Sequence, residues 1–129
     1  MPTFDDATTT QAPPEEVWKL LYDPARFPEW WAGVGSIEDV KGDGFTLYPD
    51  GYPDFPMPQT FETRREGRQA VISCLVSNLR FEWRLEADGE GTRIGVQVEI
   101  PEEEAKRLDD QREIVSRSLG NLARLAAAA

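Results

Sequence analysis

The chain has 129 residues, 40% hydrophobic and 29% charged, which suits one ordinary globular domain (residues 1–129) with no material for a second core. Its 24 carboxylates outnumber 14 Lys and Arg, and a net charge of -10 argues against nucleic acid or an anionic membrane surface, both of which demand a basic stripe. With no histidine and one cysteine, Cys74, the Ser-His-Asp and Cys-His arrangements, an internal disulfide and the usual zinc sites are excluded.

Met1-Pro2-Thr3-Phe4 shows neither the basic nor the apolar region of a signal peptide, and no later run reaches the length of a membrane span. Together with the cysteine usage, this predicts a cytoplasmic protein without membrane insertion. Phe4 to Thr10 reads as a first strand, ended by Ala12-Pro13-Pro14. The two prolines open a helix whose first turn holds Glu15 and Glu16, where carboxylates suit the positive end of the dipole. Val17, Trp18, Leu20 and Leu21 give it a broad apolar face. Asp23-Pro24 stops that helix and starts a second, short and broken by Pro28, ending near Gly33.

From Gly35 the pattern turns to period two. Ser36 to Lys41 and Phe45 to Pro49 are strands joined by a tight turn at Gly42-Asp43-Gly44, too short and acidic to hold phosphate. Residues 49–58 carry four prolines in ten positions, which predicts a loop that no central strand runs through. Its Tyr52, Phe55 and Met57 suit either a lid or a stiff connection covering an edge. Strands resume at Gln59 to Arg65 and Gln69 to Val76. The next two are the clearest in the chain: Leu79, Phe81, Trp83 and Leu85 alternate with charges, and Ile94, Val96, Val98 and Ile100 do the same after the Asp88-Gly89-Glu90-Gly91 turn. Pro101 then opens a long helix reaching about Ala126, roughly 35–40 Å at 1.5 Å per residue, before a frayed tail to Ala129. Its stripe is Leu108, Val115, Leu119, Leu122 and Ala126, interrupted where Gln111 and Arg112 replace the expected apolar turn.

This order predicts an α+β helix-grip fold: a curved antiparallel sheet of about seven strands wrapped around a long C-terminal helix, with two short helices after the first strand. The stretch Ala12-Pro13-Pro14-Glu15-Glu16-Val17-Trp18 through Asp23-Pro24-Ala25-Arg26-Phe27-Pro28-Glu29-Trp30-Trp31 resembles the opening of polyketide-cyclase-like members of the Bet v 1/START-like superfamily. Gly91-Thr92-Arg93 and Leu119-Gly120-Asn121-Leu122-Ala123-Arg124-Leu125 are similar to that family too. The resemblance implies a cavity between sheet and long helix, which relatives use for lipids, sterols, polyketides, hormones or quinones. Some relatives are cyclases or aromatases, and others are transport or co-chaperone proteins. Fold alone does not choose among them.

The expected cavity residues are Trp31 at the mouth; Phe61, Ile72, Cys74, Phe81, Trp83, Ile94 and Val96 on inward strand positions; and Gln111, Arg112, Val115 and Leu119 on the helix. Trp30 is expected to anchor the short helices, and Cys74 to be a small buried hydrophobe, there being no base to activate it. Gln111 or Arg112 would orient a carbonyl or carboxylate if it faces the cavity. No catalytic residue, metal or cofactor is predicted. The first reading is binding or transport of a small apolar ligand by a monomer or homodimer. The alternatives are a cyclase, aromatase or dehydratase, and a co-chaperone-like protein-binding module.

Overall fold

Seven strands form one antiparallel sheet in the computed structural model, which describes residues 2–128. The order along the chain is β1 (Thr3–Thr10), α1 (Pro14–Leu21), a 3-10 turn (Pro24–Arg26), α2 (Phe27–Trp30), β2 (Val34–Lys41), β3 (Gly44–Pro49), β4 (Met57–Arg64), β5 (Gln69–Cys74), β6 (Arg80–Asp88), β7 (Gly91–Glu99), a second 3-10 segment (Glu102–Arg107) and α3 (Leu108–Ala127). Across the sheet the order is β1-β7-β6-β5-β4-β3-β2, so six strands follow as a meander and β1 joins the far edge against β7. The curved sheet and the long helix make the helix-grip α+β fold expected from the sequence.

Strand alternation explains which face closes on α3. In β6 and β7 the cross-strand pairs Phe81↔Val98, Trp83↔Val96 and Leu85↔Ile94 all point inward and are buried. Each such side chain contributes about 1.5–3 kcal/mol through removal from water. Between them, Glu82↔Gln97 and Arg84↔Gly95 occupy the outer face. Pro14 begins α1 with Glu15 and Glu16 in the first turn, and Val17, Leu20 and Leu21 are buried. Asp23 Oδ1 then accepts the Ala25 N–H at 3.1 Å, capping the 3-10 turn that leads into α2.

Gly91 is required by a close approach. A Cβ there would lie 2.2 Å from the Thr10 carbonyl oxygen, while the neighbouring Thr92 hydroxyl donates to the Ala12 carbonyl at 2.8 Å. The end of β1 is thereby fastened to the start of β7.

Among the boundaries that differ from the sequence expectation, three bear on the site. β4 begins inside the proline-rich segment, with Pro58 paired opposite Thr46 in a strand that is not an edge. Pro58 stands near the start of the strand, and its carbonyl still accepts the Leu75 N–H at 2.9 Å. β5 stops at Cys74 rather than Val76, because Asn78 takes a left-handed conformation (φ 61°) and returns its N–H to the Cys74 carbonyl at 2.9 Å. The segment after Pro101 is 3-10 rather than α through Arg107, which shortens α3 to 20 residues, about 30 Å. Ala126 and Ala127 belong to α3, and Met1 and Ala129 lie outside the described residues.

Candidate functional site

Aromatic side chains fill most of the space between sheet and helix. Trp30 and Trp31 stack at 5.4 Å with an interplanar angle of 19°, and Trp83 meets both edge-on at 5.1 and 5.3 Å. Phe27 bridges from Trp30 to Phe45 and Phe61. The tandem tryptophans are held from two sides. Trp30 Nε1 donates to the Leu20 carbonyl at 3.0 Å, which ties α2 to α1. From α3, the Ser118 hydroxyl accepts the Ala32 N–H at 2.9 Å, and the Asn121 amide donates to the Trp30 carbonyl at 3.1 Å. Trp83 Nε1 is buried without an acceptor, the one such side-chain atom among the described residues.

The filling stops at the N-terminal end of α3. There a pocket of about 220 Å³ remains between the sheet and the helix. Trp31 and Phe81, whose rings meet edge-on at 5.0 Å, form its inner wall together with Leu79 and Cys74. Val34, Leu47 and Met57 close the side toward β2, β3 and β4. Arg107, Gln111 and Ile114 face it from the helix, spaced by four and three residues as one helical face requires. Gly33 completes the rim at φ +88°, a conformation that favours glycine, and a Cβ there would stand 3.7 Å from Ile114.

The polar groups of the pocket are few: Gln59, Ser77, Gln111 and Arg107. Gln59 is buried and its Nε2 donates to the Met57 carbonyl at 3.1 Å. Arg107 is paired with Glu104 at 2.5 Å. None of the lining residues is Asp or Glu. The most strongly held carboxylate lies instead on the outer face. Burial pushes the Glu82 carboxyl up, but Arg84 and Arg80 outweigh this and hold it below its ordinary range, with Gln69 donating at 2.7 Å. A larger depression of about 500 Å³ lies on that outer face, lined mainly by the charged residues Asp5, Asp6, Arg84, Glu86 and Arg93.

Of the expected cavity residues, Trp31, Cys74, Phe81 and Gln111 line this pocket. Ile72, Trp83, Ile94, Val96, Val115 and Leu119 are buried against one another and against the tryptophans, because the stacked indoles occupy the room a cavity would need. Phe61 is half-buried and packs on Phe27 and Phe45, 6.3 Å from each. Arg112 is exposed and lies over the Phe4 ring at 5.4 Å, outside the pocket: one residue past Gln111, it is turned by 100° around the helix. Gly33, Gln59, Ser77, Arg107 and Ile114 escaped the sequence reading. The available signal was Gln59, a polar residue on the inward face shared with Met57 and Phe61.

The sequence profile of the family described as "Polyketide cyclase / dehydrase and lipid transport" matches residues 10–106. The chain belongs to this family. Its fold is accordingly that of ligand-binding proteins of the SRPBCC type. Solved structures agree on the architecture. The protein XoxI from Bacillus cereus superposes with a TM-score of 0.76 at 19% identity, over 96% of this chain and 94% of that one. The Aha1 dimer from Colwellia psychrerythraea gives 0.75 at 12% identity, over 95% and 94%. DynU16, a protein of the dynemicin biosynthetic locus, gives 0.68 at 18% identity, over 95% of this chain and 46% of that one. No curated protein matches the sequence. Among the described residues, no helix is long and apolar enough to cross a membrane.

Proposed function

We propose that this member of the polyketide cyclase and lipid-transport family binds a small apolar ligand, of aromatic, polyketide, quinone or acyl type, in the pocket at the head of α3. The observation that carries the reading is the pocket's makeup: aromatic and aliphatic walls from Trp31, Phe81, Leu79 and Ile114, with a few polar side chains placed to orient one end of a ligand. At about 220 Å³ it suits a compact molecule, or the head of a longer one whose tail leaves through the mouth. The loops next to the lining residues Pro49, Met57, Cys74 and Ser77 also carry exposed apolar side chains. Tyr52 and Phe55 on the β3–β4 loop, and Leu75 and Val76 on the β5–β6 loop, are all more than half exposed. The β5–β6 loop is tied to the start of β4 through the Leu75 N–H and the Pro58 carbonyl.

Binding without turnover is favoured over a cyclase or dehydratase. General acid-base chemistry needs a titratable group against the substrate, and the lining offers only Arg107 and Cys74. The test is native mass spectrometry of protein purified from its own host, followed by denaturing extraction of what travels with it. One co-purifying apolar molecule is the expected result. Empty protein, whose thermal stability is also unmoved by a panel of lipids, quinones and aromatic polyketides, overturns the proposal.

A further inference from the structure

The chain carries 24 Asp and Glu, yet none lines the pocket, whereas one of its arginines, Arg107, stands at the rim. The local backbone explains how that arginine is kept there. Residues Glu102–Arg107 form a 3-10 segment, in which side chains three apart eclipse, so Glu104 lies directly over Arg107 and pairs with it at 2.5 Å. The Arg107 side chain is 49% exposed, and ion pairs of this kind are weak because water screens them. Arg107 is therefore neither buried in the core nor committed to a strong partner. Gln111, one helical turn on and facing the same pocket, has no side-chain partner of its own among the described residues.

On the reading that the pocket holds an apolar ligand, we infer that this ligand carries a carboxylate, which docks on Arg107 and Gln111 and displaces Glu104. The apolar body then lies against Trp31 and Phe81, deeper in. A ligand carboxylate between Arg107 and Gln111 accepts from both side chains, whereas Glu104 bonds Arg107 alone, so the exchange gains a hydrogen bond.

The experiment uses two probes of equal size and shape, 2-naphthoate and 2-naphthamide, followed by amide NMR titration and calorimetry on the whole chain. The wild-type protein is expected to bind the naphthoate about tenfold more tightly, the worth of one charge-assisted hydrogen bond at a partly exposed site. R107Q should abolish that preference by weakening naphthoate binding about tenfold, while naphthamide still shifts the amides of Leu79 and Ile114. E104Q, which frees Arg107, should enhance naphthoate binding. R112Q removes the same charge outside the pocket and should change nothing, which separates a local contact from an effect of net charge. Equal affinity for both probes in the wild type, or a preference that survives R107Q, overturns the carboxylate assignment and leaves the pocket intact. If neither probe shifts the amides of Gly33, Leu79 or Ile114, the pocket reading itself fails, and this inference with it.

Discussion

The two ends of the sheet–helix interior solve opposite problems with the same elements. Toward the C-terminal end of α3, Val115, Leu119, Leu122 and Ala126 are buried in one cluster with the inward strand residues, the helix packs on β1, α1 and α2, and the stacked tryptophans leave no room. At the N-terminal end, the helix offers Arg107, Gln111 and Ile114 to a sheet that has curved away, and the space stays open. The contrast teaches that a helix-grip fold does not deliver a cavity by architecture alone. In this chain the aromatic content of α2 decides how much of the interior is closed, and the polar break in the α3 stripe decides where it is not.

The filled end is the place to break this contrast most visibly. Trp30→Ala removes an indole that is 1% exposed, leaves the Leu20 carbonyl without its donor and opens a void beside Trp83. A loss of about 3–5 kcal/mol is expected, measured by urea unfolding. A loss under about 1 kcal/mol would mean that the interior can collapse around the gap, and that the filled end is not tightly packed.

A smaller effect is expected on the back of the same strands. Glu82 is buried on the outer face, and its carboxylate is held by Gln69, Arg80 and Arg84. Its folded-state pKa is depressed, so the stability it contributes is present above the unfolded value of about 4.3 and is lost as pH falls through the folded value. Glu82→Gln should cost about 1–2 kcal/mol at neutral pH. The variant should also flatten the acid limb of stability against pH, read from midpoints between pH 7 and 3. An unchanged limb would show that the pair is solvated and that the outer face does not brace the filled end.

How much of this was legible follows from the kind of signal each region leaves. The filled end is written in periodicity: Phe81, Trp83 and Leu85, and Ile94, Val96 and Val98, alternate strictly, and the helical stripe from Val115 to Ala126 faces them, so buried strand positions could be read directly. Periodicity tells which face a residue takes, but not whether the space in front of it is occupied. Ile72, Trp83, Ile94, Val96, Val115 and Leu119 were expected at a cavity for that reason, and they face inward into packed core. The open end depends on three-dimensional facts. Arg107 lies at the junction of the 3-10 segment with α3, and Gln59 on a β4 face that curves over the open end, so neither placement is written in a periodic pattern. Gln111 was visible as a gap in the stripe. Its neighbour Arg112 shared that gap in the sequence, and only the helix rotation separates them.

The open end gives the sharpest version of the comparison with the smallest expected change in stability. Ile114 is half-buried, packed against the core on one side and next to Gly33, and lines the pocket on the other. Overpacking costs about 1–3 kcal/mol where a core is already full, because neighbours are forced off their rotamers. Ile114→Trp meets no such neighbours on the pocket side, so its indole can enter the void and lie against Trp31 and Phe81. Stability is expected to stay within about 1 kcal/mol of wild type, since filling the void also gains dispersion contacts. Uptake of the apolar probe should be lost altogether. A strongly destabilised variant would show that the void closes in solution. A stable variant that still binds the probe would mean that the ligand sits elsewhere, with the exposed side chains of Tyr52, Phe55, Leu75 and Val76 the next to mutate.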